Sequence, residues 1–144
     1  MSRKLLRIVL IALMLMVILT GCSDVYIYKG ENENWTGEYR VIVTEEYKKK
    51  DDVVRYESNS EDAFNVTYKH KLSDLASVKK IEITYETKKT SGKLTQEFTD
   101  TPPKDRTFSM GGGSSGATLK KEDDTVKVTI NIDGKIETFD LILE

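Results

Sequence analysis

The best match to a catalytic pattern is Gly112-Gly113-Ser114-Ser115-Gly116, which fits G-x-S-x-G. A serine nucleophile in that pattern stands on a sharp turn between a strand and a helix, with an acid and a histidine later in the chain. No helical pattern follows here, and the single histidine, His70, lies upstream. A Gly/Ser stretch meets the pattern by composition alone, so Gly111 to Gly116 reads as a flexible loop. His70 sits in Tyr68-Lys69-His70-Lys71, between cations that disfavour its protonated form. A metal site wants several His, Cys or carboxylate ligands converging, so His70 reads as an exposed strand-end residue. Asp51-Asp52 and Asp123-Asp124 lack the spaced oxygen ligands of a Ca²⁺ loop and read as soluble turns. Gly111 to Gly113 has no following Lys-Ser/Thr to make a phosphate loop. Carboxylate pairs for glycoside chemistry depend on separation in space, which a chain with 24 acidic residues leaves open. Lys48-Lys49-Lys50 followed by Asp51-Asp52 is a mixed-charge hairpin loop. The expectation is a chain with no catalytic residue, no metal and no cofactor.

Cys22 is the residue with chemistry to do. Arg3, Lys4 and Arg7 precede an uninterrupted apolar run from Ile8 to Leu19, and Thr20, Gly21 and Cys22 follow at once. A basic start, a short apolar stretch and small residues before a cut describe a secretory signal. The run of about a dozen residues falls short of the roughly 20 that a spanning helix needs. Its positive end stays cytoplasmic, so the remainder is expected to be exported. Leu19-Thr20-Gly21-Cys22 resembles the lipobox of bacterial lipoproteins. That resemblance implies a diacylglyceryl thioether on Cys22 and cleavage just before it. Small residues suit a peptidase that must reach the backbone inside the membrane, and the thiol forms the bond to the lipid. Cys22 is the only cysteine, so no intrachain disulfide competes for it. One acyl chain binds marginally, at about 0.8 kcal/mol per buried methylene, whereas two hold stably.

The expected organisation is a signal peptide over 1–21, a lipidated N-terminus and short tether over 22–33, and one domain over 34–144. The formal charge is −2, and loss of Arg3, Lys4 and Arg7 makes the mature part more acidic. That balance argues against a nucleic-acid partner, which needs a net basic footprint. A weakly acidic domain is also mildly repelled by anionic lipid, so the anchor rather than a basic patch is expected to hold it.

Period-two alternation dominates after residue 34. Trp35, Tyr39, Val41 and Val43 share one side, with Glu38, Arg40 and Thr44 on the other. Ile42 breaks the pattern, as a residue facing a second surface would. Phe64, Val66 and Tyr68 alternate with polar residues, as do Ile81, Ile83 and Tyr85, and Val126, Val128, Ile130 and Ile132. Leu94, Gln96 and Phe98 match more weakly. Only Asp74 to Lys79 leaves room for a single helical turn. Asp133-Gly134 is a two-residue hairpin signal, because both residues tolerate positive φ. Ser91-Gly92 reads as another link, and Thr101-Pro102-Pro103 as the end of a strand. A phase change near Phe139 suggests a bulge in the last strand. Val25 to Tyr28 could form a strand of its own.

About seven strands at these spacings predict an all-β fold, an antiparallel immunoglobulin-like sandwich without its disulfide, with an open β-barrel as the alternative. The seven tyrosines and Trp35 suit a core or an interface. Trp35 and Tyr39 are the candidate binding aromatics. At up to ~3.5 Å per residue, a tether of this length keeps the domain near the bilayer.

The stretch Tyr28-Lys29-Gly30-Glu31-Asn32-Glu33-Asn34-Trp35, soon after a lipobox, is similar to small lipoproteins of Bacillus-type bacteria. Those run lipobox, Gly-Glu-Ser-x-Asn-Trp, then an all-β domain with a late Gly-Gly segment. Asn32 stands here where Ser is usual. The resemblance implies a Gram-positive host and an all-β fold, and carries no activity. The expected role is therefore a non-catalytic binding or structural module, lipid-anchored on the outer face of the cell membrane. Its partners are membrane lipid through Cys22 and an envelope protein or wall polymer. A sensor or inhibitor of a membrane partner, and a cell-wall or lipid hydrolase, are the alternatives.

Overall fold

The computed structural model describes residues 23–50, 53–115 and 125–144. Eight strands follow one another: β1 (Ser23–Glu31), β2 (Trp35–Lys50), β3 (Val53–Tyr68), β4 (Lys80–Glu86), β5 (Ser91–Glu97), β6 (Thr107–Ser115), β7 (Thr125–Ile132) and β8 (Lys135–Leu143). One short 3-10 turn, Leu72–Leu75, lies between β3 and β4. The all-β class is as the alternation demands. All eight strands join one antiparallel sheet in the order β5-β4-β7-β8-β1-β2-β3-β6, nearly closed into a barrel. An open barrel is the architecture consistent with that sheet.

Curvature follows from where the large and small residues stand. The inward faces carry Tyr28, Trp35, Tyr39, Phe64, Ile83, Ile130 and Leu141, all buried. Phe64 on β3 stacks on Tyr85 of β4 at 4.9 Å between ring centroids, although four strands separate them along the sheet. Only a rolled sheet brings those faces together. In the β1–β2 ladder Gly30 and Gly37 are cross-strand partners. A side chain on Gly30 would collide with the Asp140 carbonyl, and one on Gly37 would stand 2.9 Å from Leu141 Cδ2 and 3.1 Å from Phe139 Cε2. The missing side chains let β8 cross over this corner, the usual way a sheet bends toward closure. Here β8 pairs with β1 only at Tyr28/Leu143 and Lys29/Ile142.

Several local expectations change. The segment 22–33 contains β1, extending the Val25–Tyr28 strand that the sequence allowed. Residues 111–115 of the expected glycine loop are paired in β6 against Asn59 to Ala63 of β3; Gly116 lies outside the described residues. Ser91-Gly92 opens β5 and does not form the link, which is the Thr87–Thr90 turn closed by Thr87 N–H to Thr90 O at 2.8 Å. Gly92 instead leaves room for the ring of Tyr85. The β7/β8 register runs unbroken from Thr125/Ile142 to Ile132/Lys135, without a bulge at Phe139. Ile136 and Ile142 lie on the outer, exposed face, and Glu137 takes an inward place. Ile42 faces outward opposite Val25 and is half-buried. The Asp133-Gly134 hairpin stands as expected, with φ of 50° and 94°.

Candidate functional site

Cys22, with Leu19, Thr20 and Gly21, lies outside the described residues, and Ser23 immediately after it opens β1. Trp35 and Tyr39 do not form a surface for a partner. Both are buried, at 0% and 1% exposure, because their side of β2 faces the barrel interior. Trp35 packs against Tyr68 and Phe108, with ring centroids 5.0 and 6.1 Å away. Tyr39 packs against Tyr85 at 4.9 Å and Phe64 at 6.3 Å. These contacts make Trp35 and Tyr39 core residues and not binding aromatics.

Three places gather polar or exposed side chains. The first is inside the rolled sheet. Tyr85 Oη donates to Asp62 Oδ2 at 2.9 Å, and Tyr39 lies against the same pair. Gly112, the register partner of Asp62, leaves the carboxylate its space: a Cβ there would stand 3.0 Å from Oδ1. Burial, with the nearby Asp62 charge adding to it, pushes the Tyr85 phenol up to about 12. Burial likewise raises Tyr39, with Tyr85 and Asp62 as the next causes. Both phenols are therefore held protonated at neutral pH, as hydrogen-bond donors and not as bases or nucleophiles.

The second lies at the β1–β2 turn. Asn32 Oδ1 accepts from the backbone N–H of Asn34 at 2.9 Å and of Trp35 at 2.8 Å, an Asx turn that starts β2. Asn34 Nδ2 donates to both oxygens of Glu137 at 3.0 Å, and Asn32 Nδ2 reaches the same carboxylate at 3.2 Å. His70 Nε2 is 3.0 Å from Asn34 Oδ1. This accounts physically for the Gly30 to Trp35 motif. Glycine admits β8, Asn32 shapes the turn, Asn34 holds β8 through Glu137, and Trp35 enters the core. A serine at position 32 could accept the same backbone bonds.

The third is a two-stranded ribbon. β2 and β3 pair from Trp35/Tyr68 to Lys50/Val53, and the described pairing of β1 reaches Thr44 and that of β6 reaches Asn59. Among the described residues, 45–50 and 53–58 have no strand partner besides each other. Tyr47 and Tyr56 are register partners on the continuation of the inward face, 5.4 Å apart, and 76% and 50% exposed. Val53 and Val54 are 55% and 61% exposed. On the opposite face Lys48 bridges Glu57 at 2.7 Å and Glu46 at 3.4 Å.

No protein-family model, curated protein or solved structure matches the chain.

Among the described residues, no three His, Cys, Asp or Glu side chains converge as a metal would require. The surface depressions of about 300 and 400 Å³ are lined by Lys29, Glu38 and Asn65, and by Lys79, Glu82 and Asp133. The first lies on the outer face of β1–β3. The second is tied up by Asp133, which accepts from the backbone N–H of Lys80 at 2.8 Å and of Lys79 at 3.1 Å. The Asp62–Tyr85 and Asn34–Glu137 pairs escaped the sequence reading because each joins residues distant along the chain. Glu137 had a usable signal, since counting back by twos from Leu141 and Phe139 puts it inward. Tyr47 had one too, on the same parity as Val41 and Val43.

Proposed function

We propose that the protein is an extracytoplasmic lipoprotein of a Gram-positive cell membrane, anchored through diacylglyceryl-Cys22, whose β-domain is a non-catalytic binding or structural module of the envelope. The observation that carries this reading is Leu19-Thr20-Gly21-Cys22 closing a basic-then-apolar leader. The Gly30 to Trp35 stretch supports it by its resemblance to small lipoproteins of Bacillus-type bacteria. Among architectures, we favour the open barrel over the immunoglobulin-like sandwich, because a single ladder of strands runs from β5 to β6. The partner is an envelope protein or wall polymer met close to the bilayer.

The test is to feed labelled palmitate to cells expressing the full chain or its Cys22→Ala variant, and then fractionate them. The wild type is expected to carry label and remain in the membrane fraction. The variant should lose both the label and its stable membrane residence. Labelling that persists in the variant would refute the anchor.

A further inference from the structure

We infer that the β1–β8 junction is a releasable seam, latched by Glu137 in the grip of Asn32 and Asn34, at which the native sheet opens between its two halves without unfolding. The device lies wholly within the β-domain and does not depend on the anchor.

The halves are β1-β2-β3-β6 and β5-β4-β7-β8. Inside each, the ladders are long. β1–β2 runs from Ser23/Thr44 to Glu31/Thr36, and β7–β8 from Thr125/Ile142 to Ile132/Lys135. Between the halves, the ladder among the described residues consists of Tyr28/Leu143 and Lys29/Ile142. The Glu144 N–H adds a bond to the Ile27 carbonyl at 2.9 Å, and Lys29 Nζ an exposed ion pair to Glu144 at 2.9 Å. Exposed pairs of that kind hold weakly in water. Past Lys29 the strands stay close, since Gly30 lies against the Asp140 carbonyl, yet they share no further register pair. Backbone pairing gives out where the strands still touch.

Side chains take over there. Glu137, its side chain 19% exposed, accepts from Asn34 Nδ2 at 3.0 Å on both oxygens and from Asn32 Nδ2 at 3.2 Å. Both amides are aimed from behind. Asn32 Oδ1 is taken by the backbone N–H groups of Asn34 and Trp35, and Asn34 Oδ1 by His70 Nε2, which leaves each NH2 group to the carboxylate. Lys69 Nζ donates to the Asn32 carbonyl at 2.9 Å, and Arg106 Nη1 to that of His70 at 2.9 Å. The turn is thus braced by the end of β3 and by the chain entering β6. Hydrogen bonds to a charged acceptor are the stronger kind, yet groups released beside solvent are rehydrated at once. Such a latch lets go at less cost than the apolar packing across the interior, where Tyr85 meets Tyr39 and Phe64.

The experiment is amide hydrogen exchange on the folded full chain at rising urea, kept below the unfolding midpoint. It is read at Lys29 and Ile142 and within the β2–β3 and β7–β8 ladders. Local opening exposes little surface, so the junction amides are expected to exchange at rates nearly independent of urea, while ladder amides speed up with it. Glu137→Gln keeps the shape but sets a donor against the Asn amides. It should speed the junction amides about tenfold or more, with a smaller effect on the ladders. Asn34→Ala breaks the same bonds from the other side, so the double variant should add little to either single one. Junction amides that share the urea dependence of the ladders overturn the seam. Variants that speed every ladder equally overturn the latch, since that marks general destabilisation. The urea series needs no variant, so it decides even where Glu137→Gln does not fold.

Discussion

The corner at Gly30 and Gly37 makes a quantitative claim about how tightly the sheet is rolled. Consider three alanine substitutions. At Gly30 the new methyl would collide with the Asp140 carbonyl, which is backbone and moves only if β8 moves. At Gly37 it would press on the side chains of Leu141 at 2.9 Å and Phe139 at 3.1 Å, which are buried but retain some rotamer freedom. At Gly113, on the exposed part of β6, the nearest atom is the Ser60 carbonyl at 3.5 Å, an ordinary contact. Overpacking costs about 1–3 kcal/mol and occasionally more. Gly30→Ala should then cost about 3 kcal/mol or more, and Gly37→Ala about 1–2 kcal/mol. Gly113→Ala should be neutral or stabilise by about 0.5 kcal/mol, because the unfolded chain loses freedom. The assay is urea unfolding followed by Trp35 fluorescence, with thermal midpoints as a check at about 4 °C per kcal/mol for a domain of this size. Gly30→Ala and Gly37→Ala matching Gly113→Ala would mean that β8 does not cross that corner closely. Equal losses at all three sites would also refute the close crossing.

Alkaline unfolding should report the buried phenols. Tyr39 and Tyr85 have folded values raised above the ordinary value near 10, so their contribution is complete below about pH 10; that of Tyr85 fades as pH rises toward about 12, and that of Tyr39 falls in the same direction. Stability measured against pH should therefore fall above 10, and Tyr85→Phe should flatten that fall; an unchanged slope would sink the assignment. At the other end of the barrel, Asp133→Ala removes the acceptor for the Lys79 and Lys80 amides and puts Ala at a φ of 50°. A loss of about 1–3 kcal/mol is expected in thermal melts, and Asp133→Gly, which relieves the φ strain, should recover part of it.

The strands were legible where one face is dry and the other wet. Val126, Val128 and Ile130 are buried and alternate with exposed or half-buried neighbours, as their pattern demands. β6 was hidden because its glycines read as punctuation, whereas they make a strand that passes close to Asp62. The candidate binding aromatics were misplaced for a related reason. Period two says which residues share a face, but not which end of that face has a roof. Trp35 and Tyr39 are buried inside the rolled sheet, while Tyr47, on the same parity, is exposed. The Asn34–Glu137 and Tyr85–Asp62 pairs depend on the roll of the sheet, which no local pattern encodes.

The two-pair junction between β1 and β8 bears on the order of assembly. β1-β2-β3-β6 and β5-β4-β7-β8 are two half-sheets, and residues near 28 must find residues near 143 before they become one. Hairpins such as β2–β3 and β7–β8 close over short loops and can form early, but this junction spans nearly the whole chain and bears the greatest loop-closure entropy. Completion should therefore be the slow and most fragile step. Until the last strand arrives, β1 offers an open edge to whatever strand is nearest.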